Sequence, residues 1–218
     1  MPRLVDYPPM LLEERPFAFG EPDWIYEIKF DGYRLMALVD GGHVELRSRQ
    51  GADATRWFPE LADSLATLGG GPTILDGEVC VLDEAGRSDF DRLHDRARRR
   101  RWYAGADAVT FCVFDLLMAG GDELLQLPLL RRKTSLGRLL KSPPAHVMPV
   151  GHFAAGEGAQ IFQQAVVPLG LEGLCAKRTR SLYVPGARSP DWIKIKRAGA
   201  VPPERFRRGV KPALASGV

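Results

Sequence analysis

Apolar and polar positions change period several times along this chain of 218 residues. Trp24, Ile25, Tyr26 and Ile28 make a short apolar stretch, and Leu35, Ala37 and Val39 alternate with other side chains. Period two marks a strand, so residues 24–29, 33–40 and 43–48 are predicted strands. Asp40-Gly41-Gly42 reads as the hairpin turn between the last two. The period then lengthens: Phe58, Leu61, Leu65 and Leu68 recur at helical spacing over 57–68. Gly69-Gly70-Gly71-Pro72 ends that helix and leads into a buried strand at 73–82.

Helical spacing returns at 89–101, with Phe90, Leu93 and Ala97 on one face. A strongly apolar strand is predicted at 108–118, helices at 129–140 and 157–167, and strands near 173–178 and 191–197. Hairpins come first and helices are interspersed, so the fold class is α+β with two largely antiparallel sheets flanked by helices. Residues 198–218 mix Gly and Pro with Arg and Ala without any period. They are predicted to be a basic, extended tail after one domain at 1–197.

Composition fits an ordinary globular chain, at 45% hydrophobic and 26% charged. The apolar run Val109 to Ala119 is broken by Asp115 and is too short to cross a bilayer. The start, Met1-Pro2-Arg3-Leu4-Val5-Asp6, lacks the apolar core of a signal peptide. A cytoplasmic location without membrane contact is therefore expected. Cys80, Cys112 and Cys175 show no C-x-x-C spacing and sit in apolar runs, which predicts buried reduced thiols. Net charge is only +3 but unevenly spread, with five arginines between Arg96 and Arg101 and a basic stretch from Arg178 to Lys211. Such regions suit a polyanion, because phosphate contacts supply most non-specific nucleic-acid affinity.

Candidate chemistry begins at Glu27-Ile28-Lys29-Phe30-Asp31-Gly32-Tyr33-Arg34, where a lysine ends a strand just before an Asp-Gly turn. Five strings follow in order: Arg47-Ser48-Arg49-Gln50-Gly51, Leu75-Asp76-Gly77-Glu78-Val79, the apolar strand around Phe114-Asp115, Glu172-Gly173-Leu174-Cys175-Ala176-Lys177, and Trp192-Ile193-Lys194-Ile195-Lys196. The last alternates, so Lys194 and Lys196 share one face while Ile193 and Ile195 take the other. Each charge alone fits a solvated turn or edge. Together they punctuate apolar strands, which is costly unless the charges are paired or bind a ligand. One polar cleft between two sheets answers that cost.

These strings resemble the nucleotidyltransferase domain of ATP-dependent DNA ligases, and in particular the ligase module of bacterial end-joining ligases. Pro9-Met10-Leu11, Phe58-Pro59-Glu60-Leu61 and the run Tyr183 to Trp192 extend the likeness over about residues 8–197. The resemblance implies an adenylation domain at 1–197 with a nucleotide cleft between its sheets, ATP and Mg²⁺ (or Mn²⁺) as cofactors, and nicked or broken duplex DNA as partner. By the same likeness Lys29 is the nucleophile that takes AMP, passes it to a 5′-phosphate and lets a 3′-hydroxyl seal the strand. Glu27 and Ile28 flank it in the nucleotide-binding string. Glu78 and Glu172 match the acids serving ribose and metal, and Arg34 and Arg49 the arginines on sugar or phosphate. Phe114, with Phe111 as its rival, matches the aromatic that stacks on the base, and Lys194 and Lys196 the lysines that grip phosphates.

A free lysine amine is neutral about once in 2,500 at pH 7, so a nucleophilic Lys29 is expected to have a lowered pKa beside Lys194, Lys196 and Mg²⁺. Two departures stand out. Gln50 occupies a place where the family commonly has Asn. The OB-fold that family ligases carry after the paired lysines is expected to come from another chain or an end-joining partner. The stretch before Lys29 is short for an NAD⁺-recognising region, which disfavours NAD⁺. An RNA ligase or capping-type transferase, and a non-catalytic nucleotide- or DNA-binding remnant, remain open alternatives.

Overall fold

The computed structural model describes residues 2–15 and 19–200. In chain order its first strands are β1 (Leu11–Glu13), β2 (Trp24–Lys29), β3 (Tyr33–Asp40) and β4 (His43–Ser48). Helix α1 (Pro59–Leu65), β5 (Thr73–Cys80), α2 (Phe90–Arg98), β6 (Thr110–Ala119) and β7 (Asp122–Glu123) follow. The remainder is α3 (Leu129–Leu139), β8 (Val147–Pro149), α4 (Gly158–Ile161), β9 (Gly173–Arg178) and β10 (Arg188–Lys196).

Two sheets result. The smaller runs β1-β10-β9-β2, and the larger β4-β3-β5-β6-β7 with β8 alongside β6. Only β1 with β10 and β8 with β6 pair in parallel among these, so the α+β, largely antiparallel expectation holds. Strand β3 explains how the layers stack. Leu35, Ala37 and Val39 pack with Phe58, Leu61 and Leu65 of the α1 region and with Leu93 and Ala97 of α2. On the opposite face Met36 and Leu38 meet Ile25 and Trp192 of the smaller sheet. Both faces of β3 are therefore dry, which is why its apolar run is nearly continuous.

The short strands β1, β7 and β8 are not among the expected elements, and three expected elements have other bounds. The helix predicted at 57–68 is confined to α1, because Pro59 has no N–H to donate and sets the first helical position. The helix predicted at 157–167 is three joined pieces: a 3₁₀ turn (Ala155–Glu157), α4 and a π segment (Phe162–Val166). Gly158 there presses on Tyr26, where a Cβ would lie 2.4 Å from the ring. The last strand starts earlier, at Arg188, since its first residues pair with β1. Of the basic tail expected at 198–218, residues 201–218 lie outside the described residues. No described helix is long and apolar enough to cross a membrane.

Candidate active site

Lys29 is the last residue of β2 and pairs across the sheet with Gly173, the first residue of β9. That register brings Glu172 beside it, and the Lys29 Nζ donates to Glu172 Oε2 at 2.5 Å. Two glycines permit the approach. A Cβ on Gly32 would lie 2.1 Å from the Val79 carbonyl oxygen, and one on Gly173 would lie 2.0 Å from the Ile195 carbonyl oxygen. Any larger residue would force apart the strands that carry Lys29, Glu78 and Lys194.

The Lys29 side chain retains 19% exposure, whereas that of its Glu172 partner retains 6%. Burial alone would lower the Lys29 pKa, but Cys175 when ionised, together with Glu172, outweighs it, and the pKa is raised. The expectation of a lowered pKa is thus reversed in the free chain. The cause is local: Glu172 faces the amine at 2.5 Å, whereas the cation meant to help, Lys194, is turned to Glu14 at 2.5 Å.

Glu78 lies in β5, opposite Arg34 of β3 and Cys112 of β6. Burial pushes its carboxyl up to about 7, with Glu172 and Asp76 adding repulsion against the relief from Arg34 and Lys29. Arg34 itself is held by Asp76, through Nε at 2.5 Å and Nη2 at 2.6 Å. The Tyr183 hydroxyl donates to the same carboxylate at 2.7 Å and accepts from the Met10 N–H. The guanidinium carbon of Arg34 stands 4.5 Å from the Phe114 ring centre, and Lys177 Nζ stands 4.2 Å from it.

Two cavities meet at Lys29. One of about 50 Å³ lies between the sheets, lined by Glu27, Ile28, Lys29, Arg34, Glu78, Phe114 and Trp192 among others. The second, about 460 Å³, opens past Asp31, Arg87, Phe90, Glu172 and Arg197. The inner space is too small for a nucleotide, since ligand pockets run to roughly 300–1,000 Å³. Side chains on its wall must move for one to enter.

Glu27, two residues before Lys29, is 2% exposed and pairs with Lys133 at 2.6 Å and Lys177 at 2.7 Å. Burial opposes its ionisation, but the two lysines prevail and its pKa is lowered. Among the described residues no group of three or more His, Cys, Asp or Glu could hold a metal. Glu78 and Glu172 still repel one another, and Lys29 now sits as a cation on one of them. Two carboxylates of this kind fit Mg²⁺, which takes hard oxygen donors and usually adds water and substrate phosphate to one or two acids.

The model of the ATP dependent DNA ligase domain matches residues 9–196. The chain belongs to the ATP-dependent DNA ligase domain family. It is similar to the multifunctional non-homologous end joining protein LigD of Pseudomonas aeruginosa, with 38% identity over 174 residues, 80% of this chain and 20% of that protein. The chain thus spans about a fifth of the length of that relative. The ligase domain of M. tuberculosis LigD superposes with a TM-score of 0.72 and 32% identity, covering 89% of this chain and 62% of the other. A mycobacterial DNA ligase D complexed with ATP and MES gives a TM-score of 0.72 and 33% identity, covering 89% and 61%.

Within this ligase domain, the cleft gathers Glu27, Ile28, Lys29, Arg34, Glu78, Phe114 and Glu172. Phe111, the rival aromatic, is fully buried in the main core. Lys194 and Lys196 line neither cavity: both, with Lys29, act electrostatically on Glu14, whose pKa is lowered chiefly by the Lys194 hydrogen bond. Arg49 is exposed and lines neither cavity, although its N–H donates to the Arg34 carbonyl. The thiol expectation holds for Cys80 and Cys112, which are free and buried, while Cys175 is half-buried.

Sequence reasoning passed over Asp76 as the holder of Arg34, Lys133 as the partner of Glu27, and Glu14. A signal for Lys133 was present. Leu129, Arg132, Lys133 and Leu136 share the i, i+3, i+4, i+7 stripe that faces a core. Both charged members are in fact buried, Arg132 against Asp115 and Lys133 against Glu27.

Proposed function

We propose that this chain is the adenylation domain, residues 1–197, of an ATP-dependent DNA ligase that seals nicked or broken duplex DNA in repair by end joining. The observation that carries this reading is the Lys29–Glu172 contact at 2.5 Å where the two cavities meet. An amine so placed has an acceptor for its proton and an open side for a phosphorus atom.

In the first step the neutral Lys29 nitrogen attacks the α-phosphorus of ATP, an N–P bond forms, and pyrophosphate leaves. Glu172, already hydrogen-bonded to Nζ, is placed to receive the departing proton. Phe114 offers its ring to the adenine, which takes the place of a cation now over it, the Lys177 ammonium or the Arg34 guanidinium that Asp76 holds. Lys194 and Lys196 serve the phosphates, with Lys194 exchanging its Glu14 partner, a 61% exposed carboxylate, for the triphosphate. A divalent cation on Glu78 and Glu172 would supply positive charge at the phosphoryl oxygens and loosen the Glu172 hold on the amine. The AMP then passes to a DNA 5′-phosphate, and a 3′-hydroxyl displaces it. The cytoplasm is the proposed location.

The test is covalent labelling. Incubation with α-labelled ATP and Mg²⁺, followed by a denaturing gel, should leave label on the protein, and a chase with nicked duplex should move it to DNA. GTP and NAD⁺ should fail to label. Label retained in full by Lys29→Ala, or none on the unaltered chain, would overturn the reading.

A further inference from the structure

The arginine-rich stretch at the end of α2 plays no part in the cleft. Arg98, Arg99, Arg100, Arg101 and Trp102 are five consecutive exposed residues, and Trp102 is 57% exposed. Their only described carboxylate partner is Asp95, 3.8 Å from Arg98, in a pair more than two-thirds exposed on both sides. Such a loose surface pair neutralises little.

The segment is held in shape from beneath. Arg96 is fully buried and donates to the Trp57 carbonyl and the Arg101 carbonyl, each at 2.8 Å, and to both oxygens of Glu60. It ties the turn after α2 to the start of α1. Arg100 adopts φ +51°, a left-handed backbone that costs a non-glycine residue about 1 kcal/mol or more. The Arg99 guanidinium lies 3.9 Å above the Tyr103 ring, and that of Arg100 5.4 Å from Trp57. Fixed guanidinium planes with free edges suit phosphate oxygens, which they meet two N–H groups at a time.

Position gives the partner. Phe90, at the start of α2, lines the open cavity together with Lys29. Nine helical residues at 1.5 Å each separate Phe90 from the arginines by about 13 Å along the helix. We infer that Arg98, Arg99 and Arg101, beside Trp102 and on a turn braced from beneath by Arg96, form a clamp on the DNA backbone outside the cleft. This inference rests on the ligase reading and deepens it.

The test compares the 218-residue chain with the triple variant Arg98→Ala/Arg99→Ala/Arg101→Ala in titrations of nicked duplex at several salt concentrations. The slope of log affinity against log salt should become shallower by about 3 in the variant, about 1 for each phosphate that no longer meets an arginine. The matching triple substitution to lysine should recover most of the slope. Self-labelling with ATP should stay unchanged in both, which shows that the variants fold and separates this question from the adenylation reading. In a scan of single methylphosphonates around the nick, unaltered-chain binding should weaken most at the phosphates that the arginines meet, and the triple alanine variant should lose that sensitivity. An unchanged slope, a loss confined to single-stranded DNA, or no duplex binding by the unaltered chain would overturn the inference.

Discussion

Glu27 and Lys29 stand two residues apart on one strand, yet they live in different physical worlds. Glu27 is sealed between Lys133 and Lys177, its two oxygens each matched by an ammonium. Lys29 has a single strong partner and a wall of cavity. A charge matched on every side is fixed, and removing one member leaves the others stranded in a dry site. A charge matched once and open to solvent can exchange partner or lose its proton. The same Lys–Glu chemistry thus braces the sheet at one position and leaves a nucleophile available at the next.

The contrast breaks most visibly at its two acids. Glu27→Gln should cost about 3–5 kcal/mol of folding stability, because two buried lysines lose their counter-charge; urea denaturation would show it as a lowered midpoint. Glu172→Gln should cost only about 1–2 kcal/mol, since the cavity lets water reach Lys29. Its covalent labelling rate should instead fall by about 10²-fold as the proton acceptor is lost. Equal stability losses in the two variants would erase the distinction.

The two aromatic residues sharpen it next. Phe114→Ala should raise the KM for ATP in the labelling reaction about tenfold, within the 1–3 kcal/mol that ring–base stacking contributes. Phe111→Ala should leave KM alone and destabilise the fold by about 3–5 kcal/mol, as expected for an aromatic at 0% exposure.

The smallest effect is a pH dependence set by Glu78. Its carboxyl is raised from 4.5 to about 7 in the folded chain, so the folded state holds a proton that the unfolded state releases. The stabilisation is complete below about pH 4.5 and is lost as pH rises through 7. His152, whose pKa burial lowers from 6.5, acts in the opposite sense below that pH. The Tm of the unaltered chain minus that of Glu78→Gln isolates the carboxyl and should fall from about pH 5 to about pH 8. A difference that stays flat over that range would mean that Glu78 is ionised throughout.

Much of this was legible in the order of residues. Strands β2, β3 and β4 lie where alternation and the Asp40-Gly41-Gly42 turn put them, and the strings around Lys29, Glu78, Phe114 and Glu172 do converge on one cleft. What escaped was long-range pairing. Lys133 reaches Glu27 across 106 positions and Tyr183 reaches Asp76 across 107, and no local period encodes such a partner. Strand β1 is three residues long, too brief to show any period. The direction of the Lys29 shift was missed for the same reason: its sign depends on whether Glu172 or Lys194 lies nearer, which only the register of β2, β9 and β10 decides.

The most direct measurement is peptide mapping by mass spectrometry after incubation with ATP and Mg²⁺. The account predicts AMP joined through an acid-labile N–P bond to Lys29 and to no other residue. AMP on a different side chain, or tight ATP binding with Lys29 unmodified, would contradict it.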